Sequence, residues 1–387
     1  MNGHRSSLNC IVPPYMLREI IENGTPEQRQ QALRNIVSAE AIRVQREVIA
    51  KEGPPESFME AAVGLNRIIY SADNGSTLPG REVRAEGGPP TGDPAADEAY
   101  DGAGATYSLF TEVFNRNSID GNGMRLDSTV HFRTGYDNAF WNGRQMVYGD
   151  GDEDLPVDQR LFNRFTIAVD IIGHELGHGV TQHTANLIYQ GQSGALNESM
   201  SDVFGSLVKQ RLLGQDAASA DWIIGQGLFT ANVNGVGIRN MKEPGTAYND
   251  PVLGKDPQPG HMNNYVNTQA DNGGVHINSG IPNRAFYVTA LNLGGFAWEK
   301  AGQIWYVTLQ SKLSESSNFN TAAAKTYEAA RDLFGQGSLE QQAVRAGWAE
   351  VGIDVEQGGP TPPNGGSTRP GCGGTLMALY RSLIGPR

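Results

Sequence analysis

The chain has 387 residues, 39% of them hydrophobic, which is enough to build two substantial domains with smaller appendages. A formal net charge of −12 at pH 7 argues against nucleic acid as a partner. No run approaches the roughly 18 apolar residues of a membrane span, and two cysteines, Cys10 and Cys372, do not make a disulfide framework. The opening Met-Asn-Gly-His-Arg-Ser-Ser-Leu-Asn holds no apolar core of signal-peptide length.

Taken in chain order, residues 1–57 read as a unit of their own. Paired prolines keep Cys10-Ile-Val-Pro-Pro-Tyr-Met-Leu17 extended, and a short helical piece follows over 17–22. Thr25 caps the next helix with Pro26 at its first position. Leu33, Ile36, Ile42, Val44 and Val48 give that helix an apolar face. Gly53-Pro-Pro-Glu ends it. From residue 65 to about 148 the pattern is β-rich: 67–70 and 81–84 alternate across a turn as a hairpin does, 87–97 is a loop, and 98–116 reads as a helix. Residues 128–133 and 144–148 read as strands. Between them, Asn138-Ala139 fits an edge strand whose backbone can pair with an extended peptide. Helices are expected over 161–182 and 198–212. A Gly/Asn/Pro-rich stretch over 225–272 follows and carries Arg239. Helices over 281–291, 297–312, 321–334 and 338–352 predict a bundle. Residues 359–374 form a Pro/Gly linker, and a weakly amphipathic tail over 375–384 has no assignable role.

The chemistry centres on His174-Glu175-Leu-Gly-His178. On a helix, residues at i and i+4 lie on one face, so His174 and His178 can bind one metal ion with Glu175 reaching its open side. Imidazole and carboxylate ligands suit zinc. A third ligand is available in Ser193-Gly-Ala-Leu-Asn-Glu-Ser-Met-Ser-Asp202, where Glu198 opens a helical run. Asp202, one turn on, is placed to accept the second ring N–H of a ligating histidine.

These motifs resemble those of the thermolysin-like neutral metallopeptidases. Asn138-Ala-Phe-Trp141, Met146-Val-Tyr-Gly-Asp-Gly-Asp152 and Asp271-Asn-Gly-Gly-Val-His-Ile-Asn-Ser-Gly280 match further family motifs in the right order. The resemblance covers about residues 67–355. It implies an α+β, two-lobed fold: a β-rich N-terminal lobe over 58–182 that ends in the zinc-binding helix, and a helical C-terminal lobe over 183–356. Residues 1–57 resemble the short propeptides of the protealysin subgroup, and 357–387 has no family counterpart. The implied activity is zinc-dependent hydrolysis of internal peptide bonds in peptides and proteins, by a monomer. One zinc would be held by His174, His178 and Glu198, with Glu175 as general base. His276 and Tyr189 would stabilise the oxyanion, Asp271 would orient His276, and Asn138, Ala139 and Arg239 would hold the substrate backbone. Phe162, Phe165, Ile171 and Ile238 fall on the pocket after the cleaved bond, which favours cleavage before bulky apolar residues. The family's calcium pair is expected to be absent: Asp170 and Asp221 remain, but Lys209, Ile223 and Gln226 fill the other positions. His4, His131, His183 and His261 are read as structural or exposed.

The N-terminal unit is expected to keep the enzyme latent until self-cleavage near Ser57–Phe58. Either a Cys10 thiolate takes the zinc's open position or the Pro-Pro segment blocks the cleft sterically. Family resemblance points to secretion by a non-classical route, with a cytoplasmic location as the alternative. Two competing readings are a zinc aminopeptidase, which would need acids around a free amine, and an inactive peptide-binding relative.

Overall fold

Residues 9–38 and 64–356 are described in this computed structural model. The expected cleavage region and the C-terminal tail lie outside the described residues. One sheet of six strands runs in the order β1-β5-β6-β4-β2-β3. The strands are β1 (Asn9–Cys10), β2 (Arg67–Ser71), β3 (Arg81–Ala85), β4 (Leu126–Val130), β5 (Ala139–Trp141) and β6 (Met146–Tyr148). The β2–β3 hairpin is antiparallel, β2, β4 and β6 run parallel, and β5 returns antiparallel to β6. The edge beyond β5 is covered by β1 of the N-terminal segment, with Asn9 opposite Trp141 and Cys10 opposite Phe140.

The helices are α1 (Pro14–Asn23), α2 (residues 26–38), α3 (Pro94–Ser108), α4 (Val169–Gln182), α5 (Gly191–Leu213), α6 (Asp271–Asn278), α7 (Gly280–Leu293), α8 (Ala301–Ser311), α9 (Phe319–Phe334) and α10 (Leu339–Glu350). The architecture is the expected α+β, with sheet and helical lobes on either side of α4 and α5. Trp305 and Trp348 stack within the helical lobe, with Phe286 edge-on to Trp305. Trp348 Nε1 donates to Thr326 Oγ1 at 2.8 Å, so the buried indole keeps a polar partner.

Several element boundaries differ from the sequence reading, each for a local reason. The extended N-terminal stretch stops at Pro13, because Pro14 serves as the first residue of α1, where a missing N–H costs nothing. Helix α3 starts earlier than expected: Asp93 Oδ1 caps it by accepting from Ala95 N at 3.0 Å, again ahead of a proline. It ends in a wide π-turn over Leu109–Val113 instead of continuing to 116. Residues 161–168 are not helical, since Asp152 Oδ2 accepts from Leu161 N (2.7 Å) and Phe162 N (2.8 Å) while Phe165 N donates to Gly149 O (3.1 Å). Helix α5 begins seven residues before Glu198, behind glycines that hid its start.

Small residues bring α4 and α5 together. A Cβ on Gly205 would lie 2.3 Å from Asp170 O, and one on Gly177 would lie 3.1 Å from Ser201 Cα. The two backbones can approach this closely only because no side chain intervenes. That crossing carries Glu198 to the face of α4 that bears His174 and His178.

Candidate active site

The three expected ligands converge in the buried crossing of α4 and α5. His174 Nε2 lies 3.0 Å from His178 Nε2 and 3.6 Å from Glu198 Oε2, and His178 Nε2 lies 3.4 Å from Glu198 Oε1. Their ligand atoms all fall within 4.8 Å of one another. Edges near 3.3 Å are those of a tetrahedron with metal–ligand bonds of about 2.0 Å, the length zinc makes to imidazole nitrogen and carboxylate oxygen. Glu198 Oε2 is buried without a hydrogen-bond donor. Two nitrogens and a carboxylate oxygen gathered this tightly fit a divalent cation.

The outer nitrogens of both imidazoles are held by acceptors. His174 Nδ1 meets Asp202 Oδ1 at 2.8 Å, as expected from the spacing. His178 Nδ1 meets Asn197 Oδ1 at 2.8 Å and Ser201 Oγ at 3.0 Å. Sequence reasoning missed that pair, although both residues lie inside the motif that supplies Glu198. These contacts leave each Nε2 to face the ligand triangle. Burial would raise the Asp202 carboxyl, but the Arg239 guanidinium and His174 outweigh it and hold it well below the usual carboxylate range. Arg239 grips Asp202 with two bonds of 2.8 Å, and Asn283 Nδ2 adds a third at 2.7 Å.

Glu175 is buried beside the ligands, and its Oε2 accepts from Trp141 N at 2.9 Å. Strand β5 therefore orients Glu175, a link the sequence did not suggest. His276 arrives from α6, whose start is a left-handed run at Asp271, Asn272, Gly273 and Gly274. Asp, Asn and Gly are the residues that tolerate that conformation. Asp271 Oδ1 contacts His276 Nδ1 at 2.6 Å and Oδ2 accepts from His276 N at 2.9 Å, which turns Nε2 toward the cleft. Burial opposes charging of His276, yet Glu198 and Asp271 raise its pKa to about 9. A cation on Glu198 would cancel the first of these two influences. Tyr189 Oη donates to Glu198 Oε1 and lies 3.1 Å from His276 Nε2.

The N-terminal segment lies along the expected substrate-binding residues. Ile11 N donates to Ala139 O (3.2 Å), Val12 N to Asn138 Oδ1 (3.0 Å) and Asn138 Nδ2 to Val12 O (3.3 Å). Arg239 Nη1 donates to Ile11 O (3.3 Å), and His276 Nε2 is 3.0 Å from Cys10 O. Cys10 thus reaches His276, an expected catalytic residue, through its carbonyl, while its side chain packs with Phe132, Tyr136, Phe140 and Val147. Phe162, Phe165, Ile171 and Ile238 are fully buried. The two phenyl rings are 5.9 Å apart, and the two isoleucines converge on Gly225.

Lys209 Nζ lies 3.0 Å from Asp170 Oδ2 and 2.9 Å from Asp221 Oδ1, and it donates to Ile223 O at 2.7 Å.

Comparison with known proteins agrees with this geometry. Residues 69–182 match the family described as "Thermolysin metallopeptidase, catalytic domain", and residues 185–353 match "Thermolysin metallopeptidase, alpha-helical domain". The chain belongs to the thermolysin metallopeptidase family. An "Extracellular metalloprotease" of Pectobacterium carotovorum subsp. carotovorum is 50% identical over 90% of this chain and 97% of its own length. "Protease PrtS" of Photorhabdus sp. is 48% identical over 92% of this chain and 95% of its own. A solved precursor of protealysin, a metalloproteinase from Serratia proteamaculans, superposes with a TM-score of 0.80 at 49% identity, covering 89% of this chain and 99% of that one. Thermolysin-family enzymes are zinc-dependent, and the His-His-Glu site is present here.

Proposed function

We propose that this thermolysin-family zinc metalloendopeptidase is made as a latent precursor. In this reading the N-terminal segment occupies the substrate cleft, and the mature enzyme cleaves before bulky apolar residues. The observation that carries the reading is the antiparallel pairing of residues 9–11 with β5. Its backbone contacts to Asn138, Ala139, Arg239 and His276 are those an extended substrate needs. Cys10 O stands where a substrate carbonyl would accept from His276.

The zinc ion, when held by His174, His178 and Glu198, supplies a Lewis acid that brings a bound water's pKa to about 7. Glu175 takes the proton of the attacking water and delivers it to the leaving amine nitrogen as the C–N bond breaks. Such acid–base assistance is worth on the order of 10²–10⁴-fold. His276 Nε2 and Tyr189 Oη donate toward the oxygen that gains charge, and Asp271 keeps the imidazole aimed. Asn138, Ala139 and Arg239 fix the backbone on either side. The apolar side chains Phe162, Phe165, Ile171 and Ile238 supply a pocket that rewards a large aliphatic or aromatic residue.

We read the Lys209 ammonium as the replacement for the family's calcium pair, since it lies among the acidic oxygens that would otherwise bind the ions. Secretion is proposed from the names of the extracellular relatives, and self-cleavage in the linker over 53–58 removes the N-terminal unit. Blocked internal peptides with Leu, Phe or Ala after the scissile bond test these points together. The mature protein should cleave the first two at least ~10-fold faster, lose activity to a chelator, and begin near residue 58 by N-terminal sequencing. A full-length protein as active as the trimmed one would overturn latency.

A further inference from the structure

Helix α2 is fastened to the catalytic lobe by carboxamides that meet a pair of buried acids. Gln31 Nε2 donates to Asp152 Oδ1 at 2.9 Å and to Asp137 Oδ1 at 3.3 Å, and Asn35 Nδ2 donates to Asp137 Oδ2 at 3.0 Å. The single Gln31 amide nitrogen thus reaches both carboxyls, and both are nearly inaccessible, at 3% and 2% exposure. Two buried carboxyls gathered at one donor cannot both ionise without mutual repulsion and lost hydration, a cost that bound protons remove. We propose that the Asp137–Asp152 pair is a proton-operated latch on helix α2, held closed by the protons the pair binds and loosened step by step as they are lost.

The surroundings fit such a latch. On the catalytic lobe, Asp152 Oδ2 already accepts from Leu161 N and Phe162 N, so Asp152 is the member built to be ionised. Asp154 adds a further negative charge beside Gln31. Arg34 and Arg133 line the cavity next to the pair, together with Asp154 and Asn35, and make no ion pair among the described residues. Asp137 immediately precedes Asn138, the residue that grips Val12, so the latch sits at the edge of the substrate cleft. When α2 departs, water replaces its carboxamides and the cost of two adjacent charges falls.

The direction of the pH effect follows from proton binding. Burial raises Asp152 to about 6 and, with Asp152 as neighbour, lifts Asp137 well above the usual carboxyl range. The closed state therefore binds more protons than the open one. Closing is favoured at low pH, and that advantage is lost as pH rises from the ordinary carboxyl range through about 6. From Asp152 alone, opening should become about 10-fold easier between pH 5 and 7, and Asp137 adds to it in the same sense.

The inference rests on the latent-precursor reading, and one experiment separates the two. Zinc-loaded, full-length Glu175→Ala protein is followed by hydrogen exchange with mass spectrometry from pH 5 to 7.5, corrected at each pH for intrinsic exchange. Peptides from residues 26–38 should open about 10-fold more readily at pH 7 than at pH 5, and Asp137→Asn should remove most of that slope. Gln31→Glu, which adds a third carboxyl, should open α2 at a lower pH. An unvarying opening in the parent protein, which requires no folded variant, would overturn the latch, as would an equal slope in Asp137→Asn. Protection of Ile11 and Val12 in the same data reports cleft occupancy, so a failure of latency appears there and not in the slope at α2.

Discussion

Removing Lys209 tests most directly the proposal that its ammonium stands in for the family's calcium pair. Its side chain is 8% exposed and that of Asp170 only 1%, so Lys209→Met would leave the Asp170 carboxylate buried without its cation. Breaking a buried pair in this way costs about 3–5 kcal/mol. At roughly 2–4 °C per kcal/mol for a domain of this size, the melting temperature should fall by about 6–20 °C. Asp170→Asn combined with Lys209→Met leaves only the part-exposed Asp221 without its cation and should recover most of the loss, although Asp170 Oδ1 also accepts from Gly225 N at 3.2 Å. Calorimetry in a Glu175→Ala background avoids self-digestion. The parent's melting temperature should be the same in millimolar calcium and millimolar magnesium, because a site that bound calcium tightly would stabilise by RT ln(1 + [L]/Kd). A Lys209→Met protein melting within 2 °C of its parent, or a parent that gains many degrees from calcium alone, would refute the reasoning.

Glu175→Ala should retain one zinc by metal analysis and lose at least ~10²-fold in peptidase rate, whereas His174→Ala or Glu198→Ala should lose the metal itself. Cys10→Ser should leave latency unchanged, measured as the lag before activity appears, because Cys10 contributes its carbonyl to His276 and its side chain packs with Phe132 and Phe140. A shortened lag would instead assign the block to the thiol. His131 bridges Asp150 Oδ2 (2.8 Å) and Asp93 Oδ2 (2.7 Å), and these carboxylates, Asp150 foremost, raise its pKa to about 9. Its contribution to stability is therefore complete below about pH 6.5 and is lost as pH rises through about 9. Melting temperatures of the Glu175→Ala protein should fall between pH 8 and 10 by more than those of a His131→Gln derivative.

The parts of the site that follow from fixed spacing along one helix were legible in the sequence. His174 and His178 share a face by periodicity alone, and Glu198 with Asp202 repeats that logic on α5. Of the contacts made by main-chain atoms, only the edge-strand pairing at Asn138-Ala139 was legible. The Trp141 amide on Glu175 and the Cys10 carbonyl at His276 leave no trace in residue type, so the sequence left a Cys10 thiolate and a steric block by the Pro-Pro segment as open alternatives. Helix starts at Pro14, Pro94 and Gly191 were misplaced because proline and glycine read as breakers until their position at a helix start is known. The double duty of Arg239, holding Asp202 with two nitrogens and Ile11 O with a third, depends on β8 (Arg239–Asn240) pairing with β7 (Ile223–Ile224). That pairing brings together positions distant in the sequence.

The glycine crossing of α4 and α5 also bears on which metal the site prefers. Ligand separation is governed by how far apart two helix axes stand, and Gly205 sets that distance by letting its Cα rest against the Asp170 carbonyl. A single methyl group there would act as a spacer. In Gly205→Ala the triangle of His174, His178 and Glu198 would widen without any ligand being altered. Longer bonds suit larger ions, so affinity should shift from zinc toward cadmium or manganese. Competition of zinc with cadmium for the Gly205→Ala and parent proteins, read by metal analysis, would then show helix packing setting metal selectivity alongside ligand chemistry.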